Sequence, residues 1–437
     1  MIRYLILFTS CLTMSLMMAN FSIFNFTVIC MKPDDGLMSS NQTRKFSSYE
    51  ESFLFAAVSA GRILGSYPAV KLFDLFGLRI SFTAFGVLSG LGSVIVPLLG
   101  NQFYVVLASR ILQGVALAAV FLAFGIIPSA FGNKTEQSMF VSVLSCCLQL
   151  GPCLIMAVSG FFCSSSLGWE SAFYASGAWT IAVSIFFFCS YRERANKVST
   201  DAATPQYLEM DDPFVPHKPV QDVQAENSPQ KVPYLSIMTS LSFWGILIVA
   251  FGDTIGYHVF LLYGPIYINK VLNFEVAQTG VLAALPYIFS IITKALGGVF
   301  LDRATCIKER HRVLLFISFS QASMTACFVA MTFITSEMAL IGQSMLTLMT
   351  VFSGMAFVGI LSGSQIISQQ YSHIASSALA IQDSLAGLLV PLLVGLIAPN
   401  YDTSEWVTVF CVLIGLLIAS NVLFVCFTKV KPAKWTK

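Results

Sequence analysis

The chain reads as an all-α membrane protein of twelve transmembrane helices in two six-helix bundles, and three observations lead there. Of its 437 residues, 56% are hydrophobic and only 11% charged, with a mean hydropathy of +0.78, whereas about a quarter of a soluble domain is charged. The apolar residues gather into runs of roughly twenty, the length a helix needs to cross a hydrocarbon core about 30 Å thick. Between Tyr191 and Tyr234 runs one long polar stretch holding Pro205, Pro213, Pro216, Pro219, Pro229 and Pro233. It has too little apolar surface to offset the entropy of ordering it. The expected organisation is therefore a first bundle over 1–191, a cytoplasmic linker over 192–234, a second bundle over 235–430 and a cytoplasmic tail over 431–437.

Taken in order, the first apolar run begins after Arg3 like a secretory signal, but it is too long and lacks a small-x-small cleavage site, so it reads as a retained span. Spans are expected near 4–30, 50–71, 79–99, 103–127, 138–163 and 170–190 before the linker. After it they fall near 238–264, 276–300, 313–333, 336–361, 374–397 and 405–428. With both termini and the linker in the cytoplasm, about 17 of the 24 basic residues lie inside; about 4 (Lys32, Arg44, Lys45, Lys270) lie outside, the excess that normally sets orientation. Asn41-Gln42-Thr43 then becomes an outward-facing glycosylation sequon, while Asn133 faces the cytoplasm and Asn25 lies within a span. An acid recurs at the same cytoplasmic corner of each half, Asp74 and Asp302, as parallel repeats would place it.

The 11 cysteines lie mostly in apolar runs without metal spacing and read as free buried thiols, with Cys30 and Cys163 able to meet in one disulfide near the outer face. No nucleotide loop, nucleophile elbow or metal cluster is legible, so neither an enzyme nor a cofactor is expected. The net charge of +2, with its charges segregated, offers nothing to nucleic acid.

Ionisable side chains in mid-membrane cost at least about 2.5 kcal/mol each on insertion scales and therefore mark candidate sites. Arg110 lies some seven residues into the fourth span and offers a planar fork to a carboxylate or phosphate; the alternatives are a salt bridge to an Asp of another helix, or snorkelling. Asp253, between Gly252 and Gly256, suits proton coupling or permanent pairing with Arg110 or Arg62. His258, one turn on, is a titrating partner or a hydrogen-bonded interface histidine. Arg62 serves an anion site or a helix-packing salt bridge, Asp383 is a second proton acceptor, and Lys294 is close enough to the cytoplasmic corner to snorkel.

Several ordered stretches are familiar. They are Asn20; Pro68 followed by Asp74, Phe76 and Gly77; Arg110-Ile111-Leu112-Gln113-Gly114; Gly168-Trp169-Glu170-Ser171 with Phe173-Tyr174; Pro265 with Tyr267; Leu285-Pro286-Tyr287; and Glu405-Trp406. Through these the chain resembles the major facilitator superfamily, and within it the anion transporters that include sialin, the vesicular glutamate transporters and the type I sodium-phosphate cotransporters. The resemblance implies alternating access between two bundles, a small organic or inorganic anion as cargo, and protons, sodium or membrane potential as the drive. It puts the family's substrate arginine at Arg110 and its gating motif at Asp74, Gly77 and Arg79, with Asp302 and Arg303 as repeat counterparts. The departures are Leu117 and Ala118 for a fourth-span Glu and Gly, Met18 for a first-span arginine, Phe55 for a second-span histidine, and Asp253 where glutamate carriers have arginine.

The expectation is a monomeric secondary carrier, in a plasma membrane or a vesicle or lysosome. Its solute would be bound by Arg110, Arg62, Asn20, Tyr257 and His258, with protons exchanged at Asp253 and Asp383. Loss of the family's Glu leaves a solute receptor that does not transport as the rival. So does a cationic or neutral solute recognised by Asp253.

Overall fold

In the computed structural model, residues 2–31, 45–99, 102–131, 140, 143–191, 233–303 and 308–436 are described. The helix α1 spans Ile2–Thr27. A single helical run, Ser48–Leu99, is broken at Gly77 (φ 71°, ψ 176°) into two arms, α2 (48–76) and α3 (78–99). That backbone region is one only glycine enters without strain. Sequence hydropathy predicts a loop between these spans. Instead the chain reverses in one residue, and Ser81 Oγ crosses the corner to donate to the Leu72 carbonyl at 2.7 Å. There follow α4 (Phe103–Phe131), α5 (Cys147–Ser164) and α6 (Gly168–Ser190). After a single turn at Tyr234–Met238 come α7 (Leu241–Lys270), α8 (Val276–Arg303), α9 (Glu309–Met331), α10 (Ala339–Ser368), α11 (Ser372–Ile397) and α12 (Thr403–Phe427).

Eleven of the described helical segments are long and apolar enough to cross a membrane, and the 52-residue one crosses twice, which makes twelve passes. Most of the expected linker and Asn41 lie outside the described residues. The end of the molecule from which α6 leaves and at which α7 begins is called the linker end below, and the opposite one the far end.

Partnerships repeat between the two halves of the chain. α1 packs on α5 and α6 as α7 does on α11 and α12, α3 on α6 as α9 on α12, and α2 on α4 as α8 on α10. Between the halves α2 lies against α11 and α5 against α8, the exchange a two-fold relation produces. Small residues set the closest approaches, as expected where lipid removes the hydrophobic drive between helices. A Cβ on Gly114 would strike the Val58 carbonyl, and one on Gly61 the Ile111 carbonyl, so α4 and α2 touch backbone to backbone. Gly160 of α5 meets Gly280 of α8 in the same way across the halves.

The Cys30–Cys163 pair forms a disulfide at the far end, tying the chain after α1 to the end of α5 with the Cα atoms 6.1 Å apart. Cys147 and Cys327 are buried as expected, but Cys189, Cys411 and Cys426 are exposed on the outer faces of their helices, because an apolar run facing lipid hides nothing from the bundle's exterior. Gly114→Val should cost about 1–3 kcal/mol or more through overpacking. The measurable outcome is a loss of monodisperse protein after mild heating, with Gly298→Ala, which meets open space, as the neutral control.

Candidate functional site

Three cations and two acids stand at mid-membrane depth, and the structure treats each differently. Arg110 of α4 is fully buried. Its Nη1 donates to the Phe21 carbonyl (2.9 Å) and to Gln113 Oε1 (2.8 Å), its Nε to the Leu54 carbonyl (3.3 Å) and its Nη2 to Asn25 Oδ1 (3.4 Å). The rings of Phe21 and Phe24 cover it at 5.8 and 5.1 Å. Gln113, held in turn on Ser93 of α3 (3.0 Å), sets the guanidinium's orientation. The Arg110-to-Gly114 stretch is thus a clamp: Arg110 binds α1 and α2, Gln113 binds α3, and Gly114 admits α2. The expectation of a guanidinium offering its fork to a carboxylate or phosphate does not hold in this conformation. Neither does pairing with an Asp, since neutral oxygens occupy the fork.

Arg62 of α2 does face the junction of the halves. Its Nη2 lies 2.6 Å from Asp383 Oδ2 of α11, with side-chain exposures of 12% and 32%, so the pair is only partly withdrawn from solvent. His258 Nε2 of α7 stands 4.0 Å from Asp383 Oδ1, and its Nδ1 is 2.9 Å from the Thr254 carbonyl. A carboxylate of one half therefore meets an arginine of the other beside an imidazole, and Phe121 packs its ring 5.1 Å from the guanidinium.

Asp253 pairs with neither Arg110 nor Arg62. Its Oδ2 accepts from Ser353 Oγ of α10 (3.1 Å), while its Oδ1 is buried without a hydrogen-bond partner. The flanking glycines do not break α7. Gly252 abuts Ser420 and Gln321, and Gly256 abuts Met324, so they let α9 and α12 approach and leave Asp253 to the inner side. Tyr257, one turn from Asp253 on α7, is within electrostatic reach of both Asp383 and Asp253. Lys294 of α8 does not run to the nearby linker end. It crosses the junction to the Gln149 side chain of α5 and lies 4.8 Å from the Phe357 ring.

The remaining expected residues sit elsewhere. Asn20 is fully buried in a knot within the first half. Its Nδ2 donates to Ser89 Oγ (3.1 Å) and Thr180 Oγ1 (2.9 Å), and its Oδ1 accepts from Ser176 (2.6 Å), which leaves it joining α1, α3 and α6 instead of facing the junction. At the linker-end corner Asp74 is exposed, Gly77 makes the reversal, and Arg79 donates to the Phe188 carbonyl (2.9 Å) over that residue's ring (4.1 Å). Asp302 and Arg303 occupy the last turn of α8. Met18, Phe55 and Leu117, which replace polar residues of the resembled family, all enter the core.

Sequence reasoning missed the far-end closure. Tyr401 Oη donates to Glu51 Oε2 (2.7 Å), Ser52 Oγ pairs with Tyr263 Oη (3.3 Å), Ser48 bonds the Pro399 carbonyl, and Asn25 Nδ2 donates to the Leu261 carbonyl (3.2 Å). Each joins the first six helices or their flanks to the last six. Phe55 and Trp406 wedge against Tyr263 at 5.0 and 6.0 Å, and Glu405 caps α12 beneath them. An acid at the head of a span reads in sequence as a surface residue; only its 1% exposure reveals Glu51 as a joint.

Twelve helices in two repeated sets, with ion-bearing side chains meeting along the junction, are the build of a polytopic membrane transporter. The sequence model of the Major Facilitator Superfamily matches residues 5–383, and the chain belongs to that superfamily, whose members transport and are not enzymes. Human sialin is 25% identical over 378 residues, covering 86% of this chain and 73% of its own. Human sodium-dependent phosphate transport protein 1 is 24% identical over 399 residues, covering 90% and 80%. In structure the chain is similar to a bacterial homologue of the human lysosomal transporter Spinster in an inward-facing, occupied conformation. The TM-score is 0.71 at 13% identity, over 97% of this chain and 96% of that one, a likeness of fold alone.

Two outcomes test the site. Arg110→Ala should lower the melting temperature in detergent, at about 1–3 kcal/mol for each buried acceptor left alone; an unchanged value would show those oxygens in contact with water. Across the junction, Arg62→Gln and Asp383→Asn should each destabilise more than the double substitution, because each single change strands a charge.

Proposed function

We propose that the protein is a secondary carrier that moves a small organic or inorganic anion by alternating access, coupled to protons or sodium. The observation that carries this reading is the Arg62–Asp383–His258 group, which spans the junction of the halves at mid-membrane depth, with His258 buried and the Arg62–Asp383 pair only partly so. Charge placed there is a functional feature by default. A contact that must break when the halves rock is where a solute and a coupling ion can act on the equilibrium.

The far end is held shut by the Glu51–Tyr401 and Ser52–Tyr263 contacts. Towards the linker end, α2 turns outward-exposed at Leu64 (66%) and Tyr67 (72%), whereas Leu54 and Phe55 are buried. This supports a state that admits solute from the linker end. The basic-residue excess puts that end and both termini in the cytoplasm. A disulfide at the far end suits an oxidising compartment there. Asn41 would be glycosylated on that side.

For the cargo, support comes from the midplane cations, from the relative named for phosphate, and from a human relative named as a probable small intestine urate exporter, 22% identical over 393 residues. Arg110 serves in this reading as the brace of the first half, and Arg62, paired with Asp383, as a cation at the junction. Asp253, with one buried oxygen lacking a donor, and Asp383 beside His258 are the proton-exchanging acids.

Reconstituted protein preloaded with unlabelled anion should show counterflow of labelled phosphate or urate, inhibited by organic anions and not by organic cations. Asp253→Asn should keep counterflow and lose accumulation driven by a proton gradient. Binding without exchange would favour a solute receptor, and inhibition by cations a carrier that recognises its solute through Asp253.

A further inference from the structure

Of the three mid-membrane cations, two are already answered. Arg110 is enclosed by four neutral acceptors, and Arg62 lies against Asp383. Lys294 is met differently. Its ammonium touches the Gln149 amide, whose oxygen turns towards it while the amide nitrogen donates to the Ser145 carbonyl (3.3 Å). The assignment of amide oxygen and nitrogen follows from those partners. Its other neighbour is the Phe357 ring at 4.8 Å. The acid within electrostatic reach is Asp253, and Cys147 of α5 and Cys146 just before it are within the same reach of Lys294. Facing Asp253 in turn are Ser353 from α10, Tyr257 on its own helix and Lys294 from α8.

Helix geometry explains why this lysine does not escape to the nearer surface. α8 runs from the far end to the linker end, and side chains on a helix lean towards its N-terminus. Lys294 is eighteen residues from Val276, roughly 27 Å at 1.5 Å per residue. Gln149 is fifteen residues from Ser164, roughly 22 Å. The lean of a long side chain closes that difference and delivers the ammonium to the junction. Gly354 of α10 makes room for the stem: a Cβ there would lie 3.4 Å from Lys294 Cε and collide with Ser290 Oγ. Independent of this, Asp253 is 4% exposed and keeps Oδ1 without a partner, and the Ser353 that donates to its Oδ2 directly precedes Gly354, beside the Lys294 stem.

We propose that Lys294 is the solute-binding cation of this carrier, and that the anionic solute and the Asp253 carboxylate compete for it, with Gln149 presenting the ammonium across the junction. The inference rests on the anion-carrier reading above. When the solute's anionic group takes Lys294, the Asp253 carboxylate loses its counter-charge in a low-dielectric site and takes a proton from water that enters with the solute. When Asp253 is ionised, it holds Lys294 and the solute leaves. The lysine is thereby the element through which cargo and coupling proton sense each other.

The test uses full-length protein in liposomes, with labelled inorganic phosphate and labelled urate as the probes, at pH 5.5 and 7.5. For whichever anion the wild type exchanges, Lys294→Gln should raise KM at least tenfold and remove the difference in KM between the two pH values, while Lys294→Arg stays within about threefold. Asp253→Asn with Lys294→Gln, which strands no charge, should fold as a monodisperse species and show the same raised KM as Lys294→Gln alone. A Lys294→Gln KM within threefold of wild type overturns the assignment and leaves the carrier reading in place. A lowered rate with an unchanged KM and pH response marks Lys294 as structural and likewise overturns it. Exchange of neither anion by the wild type removes the anion-carrier reading, and this assignment with it.

Discussion

The structure depends on one constraint: at hydrocarbon depth a charged or hydrogen-bonding group must find its partner within the protein, because no bulk water is there to supply one. Three cations meet it in three ways. Arg110 is surrounded by backbone and amide oxygens and becomes a rivet through α1, α2 and α4. Arg62 finds a carboxylate in the other half. Lys294 finds a neutral amide in the other half and an acid on a neighbouring helix. The first arrangement is rigid, and the other two exist only while the halves hold their present relation.

That difference separates scaffold from moving part. Within the first half, contacts are of a kind that cannot slide: Gly61 and Gly114 against opposing carbonyls, the Asn20 knot, the Ser109 hydroxyl on the Gly92 carbonyl, and the Cys30–Cys163 link. At the far end the halves also meet through individually modest hydrogen bonds and aromatic edges, each worth about 0.5–1.5 kcal/mol net, beside the close Gly160–Gly280 approach. In the carrier reading proposed for this chain, such a seam holds one orientation until ligand binding shifts the equilibrium.

The residues that make the family resemblance legible gain physical meaning here. Gly77 turns a corner that no other residue accepts, Gly114 admits a helix, Gln113 aims Arg110, Glu405 caps α12, and Trp406 fills the far-end seam. Most of what a motif search recognises in this chain is therefore architecture. The side chains that face the junction, Arg62, Asp383, His258, Lys294 and Gln149, belong to none of the stretches that carry the resemblance.

From the sequence, the twelve passes, their order and the repeat of the acidic corner could all be read, because crossing lipid demands about twenty apolar residues and leaves a plain signal in composition. It also showed which side chains are costly, since an Arg, Lys or Asp within such a run stands out. It could not show which of them are satisfied. Partners such as the Phe21 and Leu54 carbonyls for Arg110, Ser353 for Asp253, or Tyr401 for Glu51 lie between 56 and 350 residues away or belong to the backbone, which every residue shares. Only the packing of one helix set against the other decides whether a buried charge braces the frame or waits for a ligand.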